Sequence, residues 1–413
     1  MSRVAELASG SRFLGSRRDY WRLLSRGAVL LLLTLGIYRF WLMTDVRRFL
    51  WCHTEIDGET LEYLGTPFEL LLGFLIALTL LIPIYGGFFI AALGLGPVGE
   101  WSGLIGFLGL AFLGQYALYR ARRYRLSRTV YRGLRFSQTG SAWLYAIRAL
   151  LWWALTLVTL GLAYPFQMAR LERYKMRNTF YGMQAGRFDG AGWRLFLRGL
   201  PLWLVTVGPL VLAIVGFAAV DWDGVTDVLG QGGDNIMGRV EGVSPGLGAA
   251  IAFGLLMLAL SAAMGALLYP VFQAIVLRWW LSGLRFGALS VASKLRIRDV
   301  YRAYARFLWY AVVFSIALTV AAALVAIVLG ALSDKLPDVT EVAGVGAALG
   351  AYVVAALGFS AIYRATVLLS LWQLGTESIQ LSGADMLDTV EASVRSGSPF
   401  GEGLADALNV GGY

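Results

Sequence analysis

The chain has 413 residues, 58% of them hydrophobic and only 15% charged, where a typical soluble domain carries about 25% charged residues. That deficit excludes an ordinary soluble domain and is what a hydrocarbon solvent demands, because charge inside it is expensive. The net charge of +9 does not point to nucleic acid, because it divides according to the side of the apolar segments on which the residues fall.

From the N-terminus, residues 1–26 are basic, with Arg17, Arg18, Arg22 and Arg26. The apolar run from Gly27 has no small-residue cleavage site after it and is interrupted by Arg39, so a signal peptide is not expected. Six later runs are long enough to cross roughly 30 Å of hydrocarbon, which takes about 20 residues. They are Phe68–Leu93, Trp101–Tyr119, Gly199–Val220, Gly246–Leu277, Ala305–Ala331 and Val342–Tyr363. Two more, Gly27–Met43 and Trp143–Met168, are ambiguous. Residues 27–374 read as a single transmembrane domain, and 375–413 as a cytoplasmic tail, Gly- and Ser-rich and disordered from Arg395 onward.

Charge orients these runs. The connections Gly94–Glu100, Asp221–Pro245 and Leu332–Glu341 are poor in Lys and Arg and are placed outside; the basic segments and both termini are placed inside. Of 35 Lys and Arg, only Arg239 and Lys335 then fall outside; the inside carries net +16 and the outside net −7. The acidic connection 221–245 reads as a flexible loop without the spacing of a calcium-binding loop.

The ambiguous runs pose a parity problem, since both are basic on each flank and neither can cross once without placing a basic cluster outside. Both contain Thr-Leu-Gly: Thr34-Leu35-Gly36 and Thr159-Leu160-Gly161. They are expected to be broken, re-entrant or interfacial helices with both ends inside. Irregular backbone is tolerated at membrane depth only where protein or a water-filled cavity surrounds it.

The inside segments resemble one another. Thr54, Gly58, Leu61 and Gly65 recur as Thr129, Gly133, Phe136 and Gly140 at offsets 0, 4, 7 and 11. A third copy keeps Thr179, Gly186 and Gly190, with Met183 at the second position, and a fourth reads Gly283, Gly287, Ser290 and Lys294. Residues alternating about Asp57-Gly58 read as a small β-hairpin, and 130–136 likewise. The fold class expected is therefore all-α and polytopic: about six full transmembrane helices, two short broken or re-entrant TLG helices, small β-hairpins on the cytoplasmic face, and internal repeats.

The strings TLGIYRFW, IDGETLEYLGTPFELLLGF, RARRYRLSRTVYRGLRF and VTLGL, within roughly residues 20–375, resemble the YjgN-like family of bacterial inner-membrane proteins. The resemblance implies an inner-membrane location and a multi-span architecture, but no settled activity and no catalytic residues.

No catalytic residue, cofactor or metal is expected. The lone Cys52 and His53 are adjacent, so they do not face each other on a helix, and no metalloprotease, hydrolase or phosphate-loop motif is present. Two function classes stand. In the first, a transporter or channel for a small solute, Thr34, Gly36, Thr159 and Gly161 line a broken-helix site, with Glu69, Gln167 and Gln273 as cavity candidates. In the second, a membrane scaffold or lipid-interacting protein, the basic face docks a partner or anionic lipid, with Arg120, Arg122, Arg123, Arg125, Arg128, Arg132 and Arg135 as candidate phosphate ligands. The partners expected are membrane lipids, anionic on the cytoplasmic side, and a small solute. With Cys52 replaced by Ala, single cysteines at Ser16 and Glu55 should both react only with a reagent supplied from the cytoplasmic side. Labelling of either from the periplasm would sink the re-entrant reading.

Overall fold

The computed structural model describes residues 9–92, 97–231, 236–243, 246–333 and 336–390. Gly94–Gly96, Asp234, Pro245, Lys335 and the tail from Arg395 lie outside them. The chain forms two compact units: Trp152–Met168 with Ala191–Val276 make up one, and the other contains the remaining described residues.

Among the described residues six helices are long and apolar enough to cross a membrane, and they coincide with the six runs expected. They are α3 (Pro67–Ala92), α4 (Pro97–Ser127), α7 (Gly192–Ala218), α10 (Leu247–Gly283), α11 (Ile297–Ser333) and α12 (Pro337–Tyr363). Large apolar side chains such as Leu308, Ile316 and Ile327 are exposed along α11, the surface that a lipid solvent would cover. The acidic connection expected to be a flexible loop instead holds two short helices, α8 (Trp222–Gln231) and α9 (Ile236–Val243). They pack Val225 and Val228 against Val240, and Asp221 caps α8 by accepting from the Gly224 N–H at 3.1 Å.

The ambiguous runs are not single helices. Gly27–Met43 falls across α1 (Arg17–Leu33) and α2 (Arg39–Cys52); Trp143–Met168 falls across α5 (Ala142–Val158) and α6 (Tyr164–Arg177). A further helix, α13 (Leu369–Glu377), continues α12 through a π-helical segment, Arg364–Leu368.

The strands are β1 (Ser9–Phe13), β2 (Thr54–Ile56), β3 (Glu59–Thr60), β4 (Glu62–Tyr63), β5 (Thr129–Tyr131), β6 (Leu134–Gln138), β7 (Thr179–Tyr181), β8 (Gln184–Phe188), β9 (Leu284–Phe286), β10 (Leu289–Ser293) and β11 (Ile379–Ser382). They are not separate small units. All eleven join one sheet in the order β3-β2-β1-β11-β10-β9-β8-β7-β6-β5-β4. The strands at the two ends of that order, β3 and β4, are separated in the chain only by Leu61, so the sheet closes on itself. Closure removes the unpaired edges that would otherwise template aggregation. It also takes β11, at the head of the expected tail, and pairs it with β1. Inward-facing side chains fill the interior: Tyr131, Tyr181, Leu289 and Leu381 pack with Leu387, and Met386 lies against them. The Tyr181 hydroxyl donates to the Tyr131 carbonyl at 3.1 Å. Burial pushes the Tyr181 phenol up to about 12.

Pairing answers the parity problem. Each helical excursion leaves and re-enters the sheet at residues that face each other: Phe13 and Thr54, Tyr63 and Thr129, Gln138 and Thr179, Phe188 and Leu284, Ser293 and Ile379. An excursion that starts and ends on one rung must come back to the side it left.

Local chemistry explains the recurring motif. Thr54, Thr129 and Thr179 each donate their hydroxyl to the carbonyl four residues back, at 2.7, 2.8 and 2.8 Å, stapling helix end to strand. The turns Asp57-Gly58 and Arg132-Gly133 have positive φ at both positions, the geometry that suits a two-residue connection between twisted strands. In the third and fourth copies positive φ falls on Gly182 and Gly287, each the first residue of its turn. The third copy keeps the aligned register, with Gly182 in place of Asp57 and Met183 in place of Gly58, whereas the fourth is shifted by one residue, because its strand starts at Leu284 and Gly287 takes the first turn position. One signal was missed. Arg48, Arg123 and Arg173 each donate to the carbonyl of the glycine seventeen residues later, Gly65, Gly140 and Gly190, at 3.1, 2.5 and 3.1 Å. Replacing Arg173 by Met should lower stability by about 1–3 kcal/mol, the worth of a charge-assisted hydrogen bond. Replacing the exposed Arg135 should change it by less than about 0.5 kcal/mol. Denaturant unfolding in detergent checks both.

Candidate functional site

The first helix pair turns back at its Thr-Leu-Gly string. The Thr34 hydroxyl donates to the Leu30 carbonyl at 2.7 Å and accepts the Tyr38 N–H at 3.0 Å. One side chain thus closes the outgoing helix and caps the returning one. Leu35 and Gly36 both take positive φ, 49° and 91°, and the Gly36 N–H reaches back to the Leu31 carbonyl at 2.8 Å. The second string repeats this chemistry: Thr159 donates to the Leu155 carbonyl at 2.8 Å and accepts from the Ala163 N–H at 3.1 Å. Leu160 and Gly161 have φ of 49° and 94°. A non-glycine residue in this region is strained, and the same strain occurs at both strings. Leu35 is 95% exposed at the tip of the first turn.

A cleft of about 190 Å³ opens beside the first turn. Its walls are apolar, with Leu24, Ala28, Leu31, Leu42 and Met43 from the helix pair and Leu357 and Ala361 from α12. Into this setting the chain places two guanidinium groups, Arg39 and Arg364, with Ser360 beside them. Arg39 opens α2 directly after the turn, and Arg364 opens the π-helical segment. That segment is closed by the Leu369 N–H donating to the Arg364 carbonyl. The Thr366 hydroxyl donates to the Ile362 carbonyl at 2.6 Å, a back-bond of the kind that bends helices. Single π turns within α-helices concentrate at functional sites.

The sequence carries a signal for this cleft that only the strand positions reveal. Arg39 and Arg364 each lie fifteen residues before the strand that follows, Thr54 and Ile379, about 22 Å of helix at 1.5 Å per residue. Each is preceded by tyrosine, Tyr38 and Tyr363. Tyr164 and Tyr269, each followed by proline in the similar strings Tyr164-Pro165-Phe166-Gln167 and Tyr269-Pro270-Val271-Phe272-Gln273, stand fifteen residues before Thr179 and Leu284. The same spacing to the following strand thus recurs in four excursions, at the Arg of Tyr-Arg twice and at the Tyr of Tyr-Pro twice.

A second cleft, of about 380 Å³, lies against the same helix pair. It is lined by Arg22, Arg26 and Arg48, with Asp45, Tyr38, Leu23 and Leu42.

The other residues singled out from sequence are distributed as follows. Thr34, Gly36 and Glu69 belong to one compact unit; Thr159, Gly161, Gln167 and Gln273 belong to the other. Glu69 accepts from Arg128 and from the Tyr124 hydroxyl, both at 2.6 Å. Gln167 is buried and accepts from the Thr156 hydroxyl at 2.8 Å, while Gln273 is half-buried on α10. Much of the arginine run is held by the protein itself. Arg132 pairs with Asp57 at 2.8 Å, Arg123 reaches the Gly140 carbonyl, and Arg122 lies 3.7 Å from Glu172. Arg120 and Arg125 are half-buried on α4, and Arg135 is exposed on β6.

Glu172 was not anticipated. It is buried on α6, ion-paired to Lys175 as well as Arg122, and accepts from Trp280. Burial pushes its carboxyl up, but the charges of Lys175 and Arg122 outweigh that and hold it below the usual carboxylate range.

A family model described as a bacterial protein of unknown function, DUF898, matches residues 9–407. The chain belongs to this family. No curated protein and no solved structure matches it. The matched stretch of this DUF898 protein takes in every strand of the closed sheet and both clefts. Membership assigns an activity to none of them.

A depressed carboxyl stabilises the fold above its unfolded pKa of about 4.3, and that contribution is lost as pH falls through the lower folded value. The melting temperature in detergent should therefore drop as pH falls below about 4. In Glu172→Gln it should be lower at neutral pH and should drop less on acidification.

Proposed function

We propose that this DUF898 protein is an inner-membrane protein that holds an anionic amphiphile at its basic, cytoplasmic-facing end. The observation that carries this reading is the cleft in which Arg39 and Arg364 stand among apolar walls. Guanidinium groups pair well with phosphate and carboxylate oxygens, and the leucine, alanine and methionine walls match an acyl chain. Both arginines sit at the level where the turn of the first helix pair begins. The orientation rests on the sheet-side ends of the spanning helices, where Arg120 to Arg128 and Arg296 to Arg306 cluster, and on the cytoplasmic bias of such residues. With the sheet inside, both termini are cytoplasmic. The recurring excursions support internal repeats, and the resemblance to YjgN-like proteins fits the same topology.

Transport is the second reading. It is favoured by the two matching reversals at Thr34–Tyr38 and Thr159–Ala163, since interrupted segments in corresponding positions of a repeated fold mark many transport sites. Lipid extracted from the purified protein separates the two readings. Arg39→Gln/Arg364→Gln should retain roughly tenfold less anionic phospholipid than the wild type, equivalent to about 1.4 kcal/mol, while retaining zwitterionic lipid. An unchanged lipid complement, together with solute uptake into proteoliposomes that the substitutions abolish, would favour transport instead.

A further inference from the structure

The second cleft has a different chemistry from the first. We propose that it binds a phosphate group, carried by a phospholipid headgroup seated between α1 and α2 on the sheet side of the first turn. The proposal shares with the preceding section only the reading of the protein as membrane-embedded; it involves separate arginines and does not require the first cleft to be occupied.

Three guanidinium groups converge on this cleft. Arg22 and Arg26 are one helical turn apart on α1 and therefore share a face, while Arg48 enters from α2. Asp45, three residues before Arg48, is the one carboxylate in the lining, so the wall carries a net charge of about +2, suited to a phosphate mono- or diester. Arg48 is fixed in place by its hydrogen bond to the Gly65 carbonyl. The side chains of Arg22 and Asp19, 3.7 Å apart, are 66% and 61% exposed, so that pair is a weak competitor for an incoming phosphate.

The cleft is also graded. From Arg48 to Tyr38 is ten residues of α2, about 15 Å, and over that length the lining changes from arginine to Leu42 and Tyr38. Beyond Tyr38 the turn exposes Ile37, Leu35 and Leu33. A ligand that is anionic at one end and apolar at the other fits this gradient in one direction only, with its phosphate toward the sheet and its chain toward the turn. The arginine run on α4, by contrast, is largely tied to Glu69, Glu172 and the Gly140 carbonyl.

The test uses the full chain in a neutral detergent, titrated with dihexanoyl phosphatidate, dihexanoyl phosphatidylcholine and inorganic phosphate, with binding read by calorimetry. Phosphatidate should bind at least tenfold more tightly than either of the others. Arg22→Gln/Arg26→Gln should weaken its binding at least tenfold, Arg22→Lys/Arg26→Lys should recover most of that loss, and Asp45→Asn should tighten binding severalfold. Phosphatidate held by the first cleft gives a separate set of sites that Arg39→Gln/Arg364→Gln removes while leaving the set lost in Arg22→Gln/Arg26→Gln, which separates the failure of this site from that of the first cleft. Inorganic phosphate binding as tightly as phosphatidate, and equally sensitive to the double substitution, would keep the phosphate site but overturn its assignment to a lipid. Binding that is absent, or equal in the wild type and in a folded Gln/Gln variant, overturns the site altogether; thermal melting establishes that the variant is folded.

Discussion

Backbone pairing at the five rungs where helices leave and re-enter the sheet is the constraint on which the rest of the structure depends. Antiparallel partners such as Tyr63 and Thr129, or Ser293 and Ile379, must stay opposite each other. Whatever lies between them, 65 residues or 85, must return to the same rung. Long excursions satisfy this by crossing the apolar layer twice. Short ones satisfy it by turning back at Thr-Leu-Gly. Closure then follows from a single extended segment, Glu59–Tyr63, which pairs on one side with β2 and on the other with β5.

Charge in this protein serves two structural purposes before any functional one. It marks the sheet-side ends of the spanning helices, and it ties helix to turn. Arg48, Arg123 and Arg173 each span the strand–turn–strand unit to reach a glycine carbonyl. Those carbonyls lie where the chain swings from strand into the next helix, and an unpaired one there would carry the cost of a lost hydrogen bond. Of the guanidinium groups proposed to meet a ligand, only Arg48 belongs to this pattern. Arg39 and Arg364 stand higher, beside the turn and the π segment, while Arg22 and Arg26 stand on a helix face with no strand unit to span.

The two clefts differ because the two faces of the first helix pair differ. One face meets α12, whose π segment widens the helix at Arg364, and the walls there are almost wholly apolar. The other presents the charged flanks of α1 and α2. Both lie beneath a turn whose exposed side chains are aliphatic. An amphiphile is the chemical class that matches a charged base, an apolar wall and a greasy tip arranged in that order.

The spans were legible from sequence because about twenty apolar residues in succession is a local property that lipid solvation alone dictates. So was the conflict over Gly27–Met43 and Trp143–Met168, since counting crossings needs only the charges. What the sequence by itself determined was therefore the number of long helices, the basic end of each, and the two places where the chain had to turn back. The tertiary structure decided the rest, because it depends on pairing between residues far apart in the chain. Short strands of two to five residues have too few alternating positions to announce their partners, so the single closed sheet could not be read from its pieces. The turn glycine of the fourth copy was misaligned for a related reason: φ, not residue identity, sets the register. The clefts were hidden likewise. Arg39 and Arg364 are 325 positions apart, and only the equal distance of each from its following strand brings them to one level.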